Sequence, residues 1–291
     1  MFRLGIVGSD NSHAIQFASL ANLEEGVGGF RIPDVQVTHI YGIDPERTKE
    51  VAEKSRIPHI VENLKDMIGA VDGIACVWRH GSRHLKDTLP FLEAGIPAFV
   101  DKPLAASVED AEKLIEAAQK AGVGFTSFST LRYAVSTVQF INHLSETVGE
   151  IRAGVSTGPA DRSSEYDGIF FYGIHAVEMM HAVFGYGCTR VTAVEHGKNV
   201  MAVCQLPQEV LVTLNFLGNA TYVFNVTVFG TKGWQSHAVD SSTCYYEGMK
   251  TFLDCLRTGK WPLSAEQLLE PVKILAAVEE SIKTGKPVLL G

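Results

Sequence analysis

The sequence predicts an α/β protein built from two domains. Residues 1–130 are expected to form a doubly wound parallel sheet, and residues 131–291 an α+β domain with an open, mostly antiparallel sheet. In the first part, strand-like and helix-like segments alternate, which is typical of a parallel sheet with helices on both faces. In the second part, four strand-like runs follow one another without long helices between them, as in an antiparallel sheet.

Composition and charge are those of an ordinary globular protein. The chain has 291 residues, 46% of them hydrophobic and 20% charged, which is enough for one large or two medium domains. The formal net charge is −8 at pH 7, so no nucleic-acid partner is expected. No apolar run reaches the roughly 18 residues of a membrane span, so no membrane partner is expected either.

The cysteines indicate a reducing compartment. They are five, an odd number, and none shows a C-x-x-C spacing. This pattern favours free thiols and a cytosolic location over a disulfide framework or a zinc ribbon. The chain opens directly on a strand-like segment, residues 2–7, so no signal peptide is expected.

The first domain opens as a βαβ unit. After the strand of residues 2–7 come a polar turn, residues 8–13, and a helix. A glycine-rich connection leads to the second strand, after which Asp44 and Pro45 supply an N-cap and a first-turn proline for the next helix. Further strands are predicted over 73–78, 96–100 and 123–128.

The second domain is expected to contain a helix from about residue 174 and two closing helices over 245–257 and 264–284. Its strand-like runs cover 190–196, 200–206, 210–217 and 221–229. In the last run, one face is a mixture of polar and apolar residues, while on the other face apolar side chains occupy alternate positions, as in a strand with one buried face. Those apolar residues are Tyr222, Phe224, Val226 and Val228.

The segment around Lys102 stands out. Asp101, Lys102 and Pro103 end a buried strand and precede a helix. An ammonium group at the carboxyl end of a strand lies where open parallel sheets place their chemistry. A solvated turn, with Pro103 stopping the strand, is the structural alternative. The tripeptide alone is weakly specific, so neighbouring motifs must decide between the two.

Other motifs occur in a familiar order. They are the opening strand, turn and helix, the stretch from Val77 through His84 to Gly95, and the run from Tyr172 to Glu178 that contains His175. With residues 101–104, they resemble the glucose–fructose oxidoreductase/inositol dehydrogenase/MocA (Gfo/Idh/MocA) family over nearly the whole chain. The resemblance implies an N-terminal Rossmann domain and an NAD(P)-dependent oxidoreductase of sugars, polyols or related small molecules. It also implies a homodimer or homotetramer, with the open sheet as the interface.

The resemblance assigns roles to particular residues. Lys102 and His175 are the expected catalytic residues, because an amine or an imidazole can move a hydroxyl proton. Asp167 or Glu178 could orient His175. The expected substrate contacts are Arg132, Tyr172 and Asp167. In the family, the peptide bond before the motif proline, here Pro103, is often cis.

The expected cofactor is NAD rather than NADP, since Asp44 at the end of the second strand can bind the ribose hydroxyls and repel an extra phosphate. Asp44 can cap a helix at the same time. For Trp78, a place in the core is the structural alternative. The other expected cofactor contacts are Gly8, Asp10, Asn11, Ser12, His13, Trp78, His84 and Asp101.

The phosphate loop departs from the family pattern. Where the family has Gly-x-Gly-x-x-Gly, this chain has Gly8, Asp10 and His13. Asp10 brings a side chain, and a charge if it is ionised, toward the expected pyrophosphate. We expect its carboxylate to turn onto backbone N–H groups of its own turn or onto His13. The structural alternative is an Asx turn in which Asn11 or Ser12 caps the helix.

The catalytic pair departs as well. The family's aspartate, four residues before the histidine, is Phe171 here, which cannot orient the imidazole of His175. Because of both departures, a catalytically silent nucleotide- or sugar-binding protein or sensor remains the alternative to the oxidoreductase. No metal site is expected: His175, Glu178 and His181 span about 120° of a helix, and zinc would need ligands from elsewhere.

Overall fold

The computed structural model describes all 291 residues, which divide into two compact units. The first unit contains Met1–Ala105, Glu109–Phe128 and Tyr245–Ala265. The second contains Ala106–Val108, Ser129–Cys244 and Glu266–Gly291. The sequence assigned all of residues 131–291 to the second domain, so the placement of residues 245–265 differs from that expectation.

The sheet of the first unit is parallel throughout, as predicted. Its strand order is β3-β2-β1-β4-β5-β6, and every neighbouring pair runs in the same direction. The strands are β1 (Phe2–Val7), β2 (Val35–Tyr41), β3 (His59–Ile60), β4 (Gly73–Cys76), β5 (Ala98–Asp101) and β6 (Phe125–Phe128). The helices between them are α1 (Ser12–Asn22), α2 (Pro45–Lys54), α3 (His84–Glu93) and α4 (Val108–Ala121).

Local sequence explains where these helices begin. Asn11 caps α1, because its side-chain oxygen accepts the backbone N–H of His13 at 3.2 Å. Asp44 caps α2 by accepting the N–H groups of Glu46 and Arg47 at 3.0 and 3.1 Å. Strands β4, β5 and β6 are buried along their whole length. Strands β4 and β5 accordingly read as nearly continuous apolar runs, whereas β6 contains Thr126 and Ser127.

Helix α7 (Cys244–Thr258) and the turn after it complete the first unit. Phe252 is fully buried and packs against Phe99 of β5, with ring centroids 5.8 Å apart. The indole of Trp261 lies so close to Gly124 that the backbone there has no room for a Cβ atom. The periodicity of α7 identifies a helix, but it does not tell which sheet that helix covers.

The second unit contains a seven-stranded mixed sheet in the order β12-β11-β7-β10-β9-β8-β13. Strands β7 and β10 pair in parallel, and all other neighbours are antiparallel. The strands are β7 (Ile151–Pro159), β8 (Arg190–His196), β9 (Asn199–Gln205), β10 (Leu211–Leu217), β11 (Asn225–Gly230), β12 (Trp234–Ala238) and β13 (Val288–Leu289). The helices are α5 (Val135–Thr147), α6 (Ile169–Phe184) and α8 (Ala265–Thr284).

Two predicted boundaries in this unit are wrong. Strand β11 begins at Asn225, so Tyr222 and Phe224 precede it, and Tyr222 is 67% exposed. Helix α6 begins at Ile169 rather than near residue 174. Gly173 lies inside this helix and packs against the ring of Phe216. A Cβ atom would be crowded there, which explains a glycine in the middle of a helix.

No helix is long and apolar enough to cross a membrane. All five cysteines are buried free thiols: Cys76, Cys188, Cys204, Cys244 and Cys255. Burial raises the pKa of the Cys76 thiol to about 12, so this sulfur stays protonated at neutral pH.

Candidate functional site

The candidate site residues of the first unit follow the carboxyl ends of neighbouring parallel strands. Gly8 to His13 follow β1, Asp44 follows β2, and Trp78 follows β4. Asp101 ends β5, and Lys102 comes directly after it. Because these strands are parallel, their carboxyl ends share one edge of the sheet.

A hydrogen bond joins this edge to the first turn of α1. His13 Nδ1 lies 2.6 Å from Asp101 Oδ2, and the Asp101 side chain is 0% exposed. Burial acts to raise the pKa of Asp101, but His13, Lys102 and His84 outweigh it, and the pKa is lowered. Asp101 is therefore a carboxylate at neutral pH.

Asp10 has a different partner from those expected. Its Oδ2 accepts the backbone N–H of Arg79 at 3.4 Å, whereas His13 is bonded to Asp101. The expectation that Asp10 turns onto its own turn or onto His13 is therefore wrong. The other carboxylate oxygen, Oδ1, is buried without a hydrogen-bond partner. A buried acceptor of this kind suits a hydroxyl or amide donor.

Lys102 is almost completely buried, at 4% exposed, and the peptide bond between it and Pro103 is cis. Burial lowers the pKa of its ammonium group, the charge of Asp101 opposes that change, and the charge of Arg79 adds to it. An amine with a lowered pKa exchanges protons more readily near neutral pH than an ordinary lysine does.

Trp78 and His84 have structural contacts. Trp78 is 1% exposed, and its ring and backbone pack closely against Gly8, whose φ is +108°. His84 is fully buried, with Nδ1 2.7 Å from the carbonyl oxygen of Pro103 and Nε2 3.1 Å from that of Trp78. Burial lowers the pKa of His84. These contacts hold the ends of β4 and β5 together, while a role in cofactor binding stays a prediction for both residues.

The edge fits a dinucleotide. The N-terminal turn of α1, which begins with Ser12, supplies N–H groups at a positive helix end. Asp44 uses only Oδ1 to cap α2, which leaves Oδ2 for a ribose hydroxyl. The unsatisfied Oδ1 of Asp10 calls for a donor, which ribose hydroxyls and a carboxamide both offer.

In the second unit, His175 is held by a residue that the sequence did not indicate. Ser129 Oγ lies 2.7 Å from His175 Nδ1, and both side chains are buried. The imidazole also contacts the rings of Phe224 and Tyr172, with centroids 5.1 and 5.7 Å away. The only signal for Ser129 was a polar residue directly after a predicted strand.

Arg132 is bonded inside the second unit. Its Nη1 donates to Glu178 Oε2 at 2.8 Å and to the Tyr186 hydroxyl at 3.0 Å, and the Arg132 and Glu178 side chains are buried. Burial acts to lower the pKa of Arg132, but the charge of Glu178 outweighs it and the pKa is raised. Glu178 is therefore engaged by Arg132. A substrate contact for Arg132 stays a prediction.

A cavity of about 400 Å³ lies beside the start of α6. Its aromatic lining includes Phe171, with ring centroids 4.9 Å from Tyr166 and 4.8 Å from Tyr172. Asp161, Ser164, Glu165, Tyr222 and several small or apolar residues also line it, with no lysine or arginine. Asp167, an expected substrate contact, lies in the turn before α6 with φ +63°.

Comparison with known proteins supports this organisation. Residues 2–128 match the family model GFO_IDH_MocA, described as an oxidoreductase family with an NAD-binding Rossmann fold. A 1,5-anhydro-D-fructose reductase from Ensifer adhaerens is 28% identical over 47% of this chain and 38% of its own length. A scyllo-inositol 2-dehydrogenase (NADP(+)) from Bacillus subtilis (strain 168) is 25% identical over 57% of this chain and 48% of its own length. The chain thus spans less than half of these curated relatives.

Solved structures show the same fold over the whole chain. The myo-inositol 2-dehydrogenase from Lactobacillus plantarum has a TM-score of 0.86 at 17% identity, covering 100% of this chain and 99% of that one. The scyllo-inositol dehydrogenase from Lactobacillus casei, with bound NAD(H) and scyllo-inositol, has a TM-score of 0.84 at 17% identity and covers 99% of both chains. At such identities the likeness is evidence of fold alone.

We expect Asp101→Asn to lower the pKa of Lys102 below its wild-type value, because the substitution removes the buried negative charge that stabilises the ammonium form. A titration of ¹³C-labelled lysine side chains by NMR measures this change. The matched control is Asp66→Asn, which alters an exposed carboxylate of the same unit. An unchanged or raised Lys102 pKa in Asp101→Asn would contradict the electrostatic coupling.

Proposed function

We propose that the chain is an NAD(P)-dependent oxidoreductase of the Gfo/Idh/MocA family, acting on a CH–OH group of a sugar, polyol or sugar-derived small molecule. The observation that carries the proposal is the buried Lys102, with its lowered pKa, beside the Asp101 carboxylate at the end of β5. Burial of an ammonium group costs free energy. A buried lysine with a perturbed pKa at a strand end is therefore a candidate for catalysis.

The cofactor is NAD, held at the carboxyl edge of the first sheet. When bound, it supplies or accepts the hydride. The first turn of α1 would hold the pyrophosphate, Asp44 would bind the ribose hydroxyls, and Asp10 Oδ1 would accept a hydrogen bond from the dinucleotide. The free Oδ2 of Asp44 supports NAD over NADP, since a carboxylate repels an additional phosphate.

Lys102 carries the proton that the substrate oxygen gains or loses. His175 is the second residue that we propose as catalytic, as a hydrogen-bonding group for a substrate hydroxyl. A lysine whose pKa lies below its usual value is closer to the operating pH, where general acid–base catalysis is most efficient. The charge of Asp101 opposes the lowering of this pKa and so favours the ammonium form, which is the proton donor in the reverse reaction. His13 in turn holds Asp101 in place.

The aromatic cavity beside α6 supports a polyhydroxylated ring as substrate. The side chains of Phe171 and Tyr172 offer faces on which the C–H groups of such a ring pack, and Asp161 and Glu165 accept hydroxyl hydrogens. The absence of lysine and arginine from the lining argues against a phosphorylated sugar in this cavity.

We also propose that the protein forms a homodimer or homotetramer in the cytosol. One face of the second-unit sheet exposes large apolar side chains, and such faces are typical of subunit interfaces. They are Val194, Met201, Val203, Leu211, Phe229 and Trp234. The five free cysteines support a reducing compartment.

We expect Lys102→Ala to lower kcat by about 10²- to 10⁴-fold, the usual contribution of positioned proton transfer. The assay follows nicotinamide absorbance across a panel of sugars, cyclitols and sugar acids. Lys113→Ala, an exposed lysine of α4, is the matched control and should keep full activity. A decrease in kcat of only a few-fold in Lys102→Ala would show that Lys102 does not transfer the proton. Nucleotide binding without turnover of any substrate would favour the silent binding protein or sensor.

We expect Asp10→Asn to bind NAD about tenfold more tightly than wild type. A full charge about 4 Å from a phosphate would cost on the order of 4 kcal/mol at an effective dielectric of about 20, more than the roughly 0.3–1 kcal/mol gained at a helix end. The bond of Asp10 Oδ2 to the Arg79 N–H reduces this cost, and the amide side chain in Asp10→Asn keeps an acceptor oxygen for the cofactor, so we expect a gain of about 1.4 kcal/mol, which is tenfold. Calorimetric titration measures the two affinities, with Asp66→Asn as the control. Equal affinities in Asp10→Asn and wild type would show that Asp10 carries no cost for the cofactor.

We expect wild type to sediment as a dimer or tetramer at micromolar concentration and Trp234→Lys to shift toward monomer, because the substitution places a charge on the exposed apolar face. Ile60→Lys, on an exposed position of the first unit, is the control and should not change the oligomeric state. A wild type that sediments only as a monomer would rule out this interface.

A further inference from the structure

The donor and the acceptor in the hydrogen bond between Ser129 and His175 can be assigned from the other bonds that the Ser129 hydroxyl makes. Ser129 is 0% exposed, and its Oγ accepts the backbone N–H of Leu131 at 3.4 Å. The same oxygen lies 2.7 Å from His175 Nδ1. A serine hydroxyl has one hydrogen to donate and two lone pairs that accept, so the Leu131 bond leaves its hydrogen still to be placed.

The hydroxyl hydrogen of Ser129 has an acceptor within reach in Nδ1 of His175. If Nδ1 carried a hydrogen instead, Ser129 would accept two hydrogen bonds, and its own hydrogen would be buried without this partner. An unsatisfied buried donor is unfavourable, so the arrangement in which Ser129 donates is preferred.

We propose that Ser129 is a positioning residue that donates a hydrogen bond to Nδ1 of His175 and so fixes the tautomer with its hydrogen on Nε2. His175 then acts as a neutral hydrogen-bond donor to the substrate oxygen. It keeps this hydrogen throughout the reaction and does not act as the base. The assignment of Ser129 stands on geometry, whereas its catalytic consequence rests on the proposed function.

This arrangement gives the Phe171 substitution a meaning. A carboxylate partner accepts a hydrogen from Nδ1 and leaves Nε2 free to act as a base. Ser129 does the reverse, and Glu178 is bonded to Arg132. The rings of Tyr172 and Phe224 flank the imidazole, with centroids 5.7 and 5.1 Å away. The departure therefore changes the role of His175 and is compatible with catalysis.

The tautomer can be measured without substrate or cofactor. In protein labelled with ¹⁵N-histidine, two-dimensional ¹H–¹⁵N NMR distinguishes protonated from unprotonated ring nitrogens, and His175→Gln identifies the signals of residue 175. We expect a protonated Nε2 and an unprotonated, hydrogen-bonded Nδ1 at neutral pH. A protonated Nδ1 in wild type would overturn the proposal.

Variants of Ser129 test the catalytic consequence of its hydrogen bond to His175. We expect Ser129→Ala to show a mixture of tautomers and about tenfold lower kcat, with unchanged affinity for NAD. Ser129→Thr keeps the hydroxyl and should restore both the Nε2–H tautomer and the rate. The matched control is Ser242→Ala, at an exposed serine. Thermal unfolding checks that each variant is folded.

The outcomes separate this proposal from the proposed function. A wild type with the Nε2–H tautomer but no turnover contradicts the oxidoreductase and leaves the tautomer assignment intact. An active enzyme with the Nδ1–H tautomer, or a Ser129→Ala variant with wild-type tautomer and kcat, overturns the role of Ser129. If Ser129→Ala does not fold, the wild-type spectrum and Ser129→Thr still decide.

Discussion

The hydrogen bond between His13 and Asp101 is the contact on which the carboxyl edge of the first sheet depends. A fully buried carboxylate is costly without a partner, and His13 supplies one at 2.6 Å. The bond ties the first turn of α1 to the end of β5, while His84 ties the end of β4 to Pro103. Lys102 therefore lies between two residues that hydrogen bonds hold in place: His13 holds Asp101, and His84 holds Pro103.

In the second unit, an ion pair stabilises a buried carboxylate. Arg132 and Glu178 form a buried ion pair, and removal of one partner from such a pair typically costs about 3–5 kcal/mol. Glu178 lies one helical turn after His175 on α6, so the pair fixes the helix that carries the imidazole. The charges of Arg132 and Glu178 thus neutralise each other. The aromatic cavity beside α6 is lined by acidic and neutral polar groups together with its aromatic rings.

Much of the fold could be predicted, because alternating segments identify a parallel sheet and successive strand-like runs identify an antiparallel one. Strand β12 was missed since most of its side chains are exposed and show no apolar alternation. The positions of the candidate site residues at strand ends could also be predicted from the order of the elements along the chain. Their partners could not: His13 and Asp101 are 88 positions apart, and Ser129 and His175 are 46 apart. Only the folded backbone brings such groups within hydrogen-bond distance.

The return of α7 to the first unit has a consequence for how the protein is made. The chain leaves this unit after Phe128 and returns to it at Tyr245. During synthesis, Phe99 and Gly124 emerge long before Phe252 and Trp261, which cover them. The first unit therefore completes its core only after residue 261 has been translated. A gene fragment ending at residue 130 would encode a sheet with part of its apolar surface uncovered.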